Sequence, residues 1–148
     1  MKKILLIALL VAVIPAVKAQ ILHPVKWSYA AKRTGKQEAL IFFKATIEPG
    51  WHIYSQTVKA GGPVKTSIAL NSSPDFEKLG YATEPRPKSG YDKTFAMTIS
   101  VFESSVTFRQ KIKLYKPGTI VSGTINYMVC NDKQCLPPDD VPFSVTIN

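Results

Sequence analysis

The sequence predicts an all-β domain of antiparallel strands. Between residues 25 and 147, apolar and polar side chains alternate in a series of short runs, which is the period of a strand with one buried face. Residues that favour turns, chiefly Pro, Gly, Asn and Asp, separate these runs. No run in this part of the chain has the apolar spacing of an amphipathic helix.

The first half of the domain is predicted to supply four strands. Their side chains are apolar at alternate positions or, in the second strand, almost throughout, and they cover residues 25–29, 40–47, 51–56 and 67–70. The Pro49-Gly50 pair separates the second strand from the third, because Pro fixes one backbone torsion and Gly tolerates the other that a tight turn requires.

The second half continues the pattern with strands predicted over residues 95–101, 106–114, 125–129 and 141–147. The stretch from residue 80 to residue 94 contains two prolines and mixed charges, and we predict that it is the longest irregular loop. Eight or nine short strands in a domain of this size indicate an immunoglobulin-like, two-sheet antiparallel sandwich.

The first 19 residues are typical of a secretory signal peptide. Lys2 and Lys3 precede an apolar stretch over residues 4–17, which is too short to span a bilayer, and Val17-Lys18-Ala19 has small residues at the positions a signal peptidase reads. We therefore predict that residues 1–19 are removed and that residues 20–148 form a single exported domain, periplasmic in a Gram-negative bacterium and not membrane-spanning.

The charge of the chain points to a solvated surface. After removal of the signal peptide, 16 Lys and Arg stand against 10 Asp and Glu, a net charge of +6. These charges alternate with apolar residues along the predicted strands and do not form a basic block. An exported domain with this pattern is not expected to bind nucleic acid.

The only cysteines, Cys130 and Cys135, are separated by four residues. In an exported protein, two thiols this close can form a disulfide within one surface loop. A ring this small would stabilise the fold by only about 2 kcal/mol in the chain-entropy model, so the bridge could be a modest staple. It could also be a redox centre, because a mixed disulfide at one sulfur is readily attacked by its neighbour. Spacing alone leaves both interpretations open.

Other chemistries have weaker support in the sequence. His23, His52 and the two cysteines match a zinc site in number, but their positions lack the paired spacing of such sites. The chain has no Gly-x-Ser-x-Gly motif and no glycine-rich phosphate loop followed by Lys and Ser or Thr. We therefore predict no metal and no cofactor.

Aromatic residues lie next to the predicted Pro-Gly turn and next to the predicted long loop. Trp51, His52 and Tyr54 follow the Pro-Gly turn, and Tyr91 and Phe95 lie at the end of the long loop. They could be ordinary packing residues. They could also cover the cysteines, because an apolar cover disfavours the thiolate and slows exchange with unwanted partners.

Several stretches of the sequence form a distinctive set, namely Gly50-Trp51-His52-Ile53-Tyr54-Ser55-Gln56, Gly62-Pro63 with Thr66, Tyr91-Asp92-Lys93-Thr94-Phe95, Val129-Cys130, Cys135-Leu136-Pro137-Pro138 and Phe143 in the final strand. Taken together, they resemble the N-terminal periplasmic domain family of the thiol:disulfide interchange protein DsbD, over roughly residues 27–147.

The resemblance implies an immunoglobulin-like sandwich with a redox-active cysteine pair. Cys135 would be the nucleophile that forms a mixed disulfide, and Cys130 would resolve it. Tyr91, Asp92 and Phe95 would belong to a cap loop over the sulfurs. His52 and Tyr54 would lie beside the active site.

The resemblance also implies partners. The domain would receive electrons from a separate membrane donor and pass them to thioredoxin-like or disulfide-isomerase proteins of the envelope, including those of cytochrome c biogenesis. It would act as a component of a protein-disulfide reductase and need no cofactor. The alternative is a non-catalytic immunoglobulin-like binding module in which Cys130–Cys135 is only structural.

Overall fold

Residues 22–148 are described by the structure, a computed structural model, and the predicted signal peptide lies outside them. These residues contain no helix, and therefore none long and apolar enough to cross a membrane. Within this described part of the chain eleven strands follow one another: β1 (Val25–Arg33), β2 (Glu38–Ile47), β3 (His52–Tyr54), β4 (Ser67–Leu70), β5 (Phe76–Thr83), β6 (Lys88–Asp92), β7 (Met97–Glu103), β8 (Ser105–Leu114), β9 (Thr119–Tyr127), β10 (Val129–Cys130) and β11 (Asp139–Ile147).

Hydrogen bonding divides the strands among three antiparallel sheets. The first sheet has the order β1-β2-β8-β5, the second β10-β3-β7-β6 and the third β11-β9-β4. Strands β9 and β10 are separated only by Met128, so one segment of chain passes from the third sheet into the second. The second and third sheets together therefore form the layer that faces the first.

One hydrophobic core joins the two layers. Phe43 of β2 packs against Phe143 of β11 with a centroid distance of 4.8 Å, and Phe108 of β8 packs against Phe102 of β7 at 5.8 Å. Along β2 and β8 every second side chain is buried, as the sequence alternation predicts for strands with one face in the core. The predicted all-β, immunoglobulin-like class is confirmed.

The prediction of one long irregular loop over residues 80–94 is wrong. Strand β5 extends to Thr83, and Lys88–Asp92 forms β6, the edge strand of the second sheet. Both strands are mostly exposed, and the register of β5 against β8 shifts between Leu79 and Thr83. Exposed or shifted strands have no period-two apolar pattern, so no signal in the sequence marks them. The third predicted strand is also shorter than expected, since β3 ends at Tyr54.

Candidate functional site

The two cysteines form a disulfide at the end of β10. Their sulfur atoms are 2.02 Å apart, and the two residues also form an isolated antiparallel bridge. A four-residue turn connects them. Its Asn131 side-chain oxygen accepts hydrogen bonds of 2.9 Å from the backbone N–H groups of Lys133 and Gln134, and the Asn131 N–H donates to the carbonyl of Gln134. Such an Asx turn reverses the chain and brings Cys135 back to Cys130.

The two sulfur-bearing residues differ sharply in exposure. Cys130 is only 2% exposed, whereas Cys135 lies on the exposed side of the turn. A thiol or thiolate from another protein can therefore approach Cys135 but not Cys130. In a thiol–disulfide pair, access decides which sulfur is attacked.

A small apolar cluster covers Cys130 on the face of the second sheet that points away from the main core. Tyr54, Ile99 and Cys130 are its buried members. Partly buried apolar side chains pack around them, and these are Val58, Phe95, Met97, Val101 and Met128. The neighbouring positions Ile53, Phe102 and Val129 belong to the main core instead, as the alternation of side chains across a strand requires.

Phe95 reaches this cluster from the tip of the β6–β7 hairpin. The Asp92 carboxylate accepts hydrogen bonds from the backbone N–H groups of Thr94, at 2.8 Å, and Phe95, at 3.1 Å. Ala96 then adopts a left-handed conformation with φ of 51°. The capping aspartate shapes the tip so that Phe95 packs against the cluster that holds Cys130.

His52 lies in register between a cysteine and a carboxylate. Across the second sheet, Cys130 of β10 is directly opposite His52 of β3, which is directly opposite Glu103 of β7. Residues opposite each other in antiparallel strands point to the same face. The three side chains therefore form a row on the face that carries the cluster around Cys130.

Tyr54 continues that face of β3. Its ring is perpendicular to the His52 imidazole at a centroid distance of 5.4 Å, and its hydroxyl lies 3.4 Å from His52 Nε2. Burial and the nearby Asp92 carboxylate raise the pKa of Tyr54 to about 12, so its hydroxyl stays protonated. Burial lowers the pKa of His52, although the carboxylates of Glu103, Asp132 and Asp92 oppose that shift.

The structure brings most of the predicted site residues together. Cys130, Cys135, Tyr54 and Phe95 meet at the cluster or its edge, with His52 beside them, whereas Tyr91 is 68% exposed and lies outside the cluster. Asp92 shapes the hairpin tip through its hydrogen bonds to the backbone of Thr94 and Phe95. The catalytic and shielding roles of these residues stay predictions.

Sequence reasoning overlooked Met97, Ile99 and Glu103 as parts of the site. The alternation from Phe95 to Val101 placed the first two on the face of Phe95, which was the available signal. Nothing in the sequence showed that Glu103 would align with His52, because that depends on strand register. Residues 22–148 contain no group of three or more His, Cys, Asp or Glu side chains placed to hold a metal ion.

The sequence matches the family described as "Thiol:disulfide interchange protein DsbD, N-terminal" over residues 18–146. The chain belongs to this family. Its cysteine pair and the apolar cluster around Cys130 are thus features of a member of a thiol–disulfide exchange family. Among curated proteins the comparison finds no match.

Three solved structures share the fold of this DsbD N-terminal family member. The N-terminal periplasmic domain of ScsB from Proteus mirabilis has 16% identity and a TM-score of 0.63, with 84% of this chain and 47% of that chain covered. The reduced N-terminal domain of Neisseria meningitidis DsbD has 16% identity and a TM-score of 0.53, with 80% and 83% covered.

The third structure is a complex between the DsbD N-terminal and PilB N-terminal domains of Neisseria meningitidis, with 15% identity, a TM-score of 0.53 and 93% of both chains covered. At such identities the three likenesses establish the fold. The chain spans about half the length (47%) of the ScsB chain that it matches.

Proposed function

We propose that this protein is a periplasmic thiol–disulfide exchange domain that carries reducing equivalents between envelope proteins through Cys130 and Cys135. The observation that carries the proposal is the asymmetry of the disulfide, with Cys135 exposed and Cys130 buried in an apolar cluster. An exchange domain needs one sulfur that partners can reach and a second that is protected from them.

The proposed reaction has two steps. In the reduced domain, the Cys135 thiolate attacks one sulfur of a partner disulfide, whose other sulfur leaves as a thiolate with the bonding electron pair. Cys130 then attacks Cys135, the Cys130–Cys135 bond forms, and the partner leaves as its second thiolate. Two electrons pass to the partner, and the domain ends as the disulfide present in the structure.

Phe95 acts as a shield in this proposal. It packs on the cluster that contains Cys130 from a hairpin tip, and a tip can move with little change in the sheets beneath it. Tyr54 and His52 line the same face. With Phe95 in place only Cys135 is open to partners, and a partner that displaces Phe95 uncovers Cys130 as well.

Partners of the thioredoxin-like or disulfide-isomerase type would accept the electrons, and a separate membrane protein would supply them. The complex of the DsbD and PilB N-terminal domains supports a partner that is itself a folded domain. The periplasmic location of the ScsB domain and the signal-like residues 1–19 support export.

The reduction potential of the Cys130–Cys135 pair tests the proposal. Thiol alkylation across a graded series of glutathione or dithiothreitol buffers would measure it in the purified protein. We expect a value between roughly −180 and −270 mV, the span of known exchange proteins. A value below about −300 mV, the range of structural disulfides, would contradict the proposal and favour the binding module.

Serine variants separate the two functions independently. If the pair is only a staple, Cys135→Ser costs about 2 kcal/mol of folding stability and there is no exchange activity to lose. For a redox pair, Cys135→Ser abolishes reduction of a partner disulfide. Cys130→Ser instead accumulates a mixed disulfide that mass spectrometry detects.

A further inference from the structure

We propose that His52 is the proton carrier of Cys130, with the Glu103 carboxylate as the charge that stabilises its protonated form. This inference rests on the exchange function proposed above and adds a route for the proton. It follows from the row of Cys130, His52 and Glu103 on three neighbouring strands.

The buried position of Cys130 creates the need for a base. In the second step of exchange, Cys130 must lose its proton before its sulfur can attack the mixed disulfide, because the thiolate is the nucleophile. Burial disfavours the charged thiolate, and at 2% exposure Cys130 has little access to bulk water. A neighbouring group must therefore accept the proton.

His52 has the required position. Directly opposite residues of an antiparallel pair have their Cβ atoms about 4.5–5.5 Å apart, which places an imidazole within reach of a cysteine thiol. His52 is also half-buried and lines a surface cleft of about 370 Å³ together with Glu103 and Asp132. The cleft gives the imidazole a path for returning the proton to solvent.

The charged surroundings of His52 suit a group that gains and loses a proton. Burial lowers its pKa, so the imidazole is neutral and able to accept at neutral pH. Once protonated, it is stabilised by the Glu103 carboxylate. The ionisable or charged groups around His52 are Tyr54 on its own strand, Glu103 on β7, Lys88 paired with Glu103 at 2.6 Å, Asp92 at the end of β6, Asp132 in the cysteine turn and Glu48 in the preceding turn.

The steps balance in both directions. When the domain reduces a partner, the Cys130 proton moves to the imidazole, the Cys130 sulfur bonds to Cys135, and the partner thiolate leaves with the electron pair. When a donor dithiol recharges the domain, its thiolate attacks Cys135, Cys130 leaves with the electron pair, and the imidazolium of His52 returns a proton to it. The donor's second thiolate then attacks the donor sulfur bound to Cys135, the donor disulfide forms, and Cys135 leaves as a thiolate.

Ellman's reagent, an aromatic disulfide, separates the two steps in the reduced protein. Attack by Cys135 releases one coloured thiolate, and closure by Cys130 releases a second. Stopped-flow absorbance would give both rates from about pH 5 to about pH 8, the range in which a histidine titrates. We expect the rate of the second release to rise with pH through a single inflection, as the imidazole loses its proton and becomes able to accept that of Cys130.

His52→Gln should remove that inflection and slow the second release at neutral pH by about a hundredfold, the lower end of what a positioned acid–base group contributes. The first release should be unchanged. His23→Gln is the matched control, since His23 is the other histidine and is exposed, and it should keep the inflection. If the rate of the second release and its pH dependence are the same in His52→Gln as in the unsubstituted protein, the proposal is overturned.

Glu103→Gln provides a second test at an exposed position. Its carboxylate raises the pKa of His52, so its removal should move the inflection to lower pH, and an unmoved inflection contradicts the role of Glu103. Failure of the proposed exchange function can be distinguished from failure of the proposed role of His52. A structural-range reduction potential would refute exchange itself, whereas an exchange-range potential with an unaffected second release would refute only the role of His52.

Discussion

At the scale of single residues, the chemistry of the site depends on a difference in exposure between the sulfurs of the two cysteines. The spacing of the cysteines in the sequence does not show this difference. Cys130 is the last residue of a buried strand, and Cys135 follows an Asx turn that returns the chain along the surface. The same disulfide thus combines a protected and an accessible end. That difference favours Cys135 for the attacking role on structural grounds, in agreement with the family resemblance.

Alkylation of the reduced protein checks this assignment. We expect iodoacetamide to modify Cys135 several times faster than Cys130, because both exposure and thiolate character favour the surface sulfur. Mass spectrometry of peptides at short reaction times would measure both rates, with unfolded protein as the control in which the rates converge. Equal rates in the folded protein would contradict the assignment.

At the scale of strands and turns, the sequence predicts those elements that bury one complete face. The alternation in β8 and β11 is regular, and both were located to within a few residues. Strands β5 and β6 were missed because they lie at sheet edges and expose most of their side chains. The same limit applies to the site, since the row that includes His52 and Glu103 depends on register between strands distant in sequence.

The hairpin tip over Cys130 is the element most directly tied to exchange. Phe95→Ala should speed reduction of the disulfide by dithiothreitol several-fold, because it removes an apolar side chain that packs on the cluster around Cys130. Tyr91→Ala is the matched control on the same hairpin, and we expect little change because that side chain is 68% exposed. Equal acceleration by the two substitutions would argue against a specific shield.

The pairing of β4 with β9 depends on one glycine. A Cβ atom at Gly123 would lie 2.0 Å from the Ala69 carbonyl oxygen and 2.7 Å from the Phe143 ring, which is closer than atoms can pack. We expect Gly123→Ala to lower the free energy of unfolding by about 1–3 kcal/mol or more, since this range is the usual cost of overpacking.

Gly90 in the edge strand β6 is the control for that substitution. A Cβ atom added there would have no neighbouring atom within 4 Å, and the backbone at this position does not require glycine. Gly90→Ala should therefore leave stability unchanged or raise it by up to about 1 kcal/mol. Urea unfolding of both variants measures the difference, and a loss at Gly90 as large as that at Gly123 would refute the close-packing explanation.

At the scale of the whole molecule, one core supports both sheet layers and, through them, the redox site. Phe43 of the first sheet contacts Phe143 of the third, and Phe102 of the second contacts Phe108 of the first. Val129, next to Cys130, belongs to the same core. Because the layers share their packing, we expect Cys130 to lose its protection from solvent when the domain unfolds as a unit.

Phe43→Ala tests this coupling, since Phe43 is fully buried in the first sheet and Cys130 lies in the second. The substitution should cost about 3–5 kcal/mol, the range for loss of a buried phenylalanine. Phe42→Ala, on the opposite and partly exposed face of β2, should cost much less. Urea titrations give two transition midpoints, one from far-ultraviolet circular dichroism and one from the rate at which dithiothreitol reduces the disulfide. Both midpoints should move to lower urea concentration together. If Phe43→Ala leaves the urea dependence of disulfide reduction unchanged, the turn that carries the cysteines opens independently of the core.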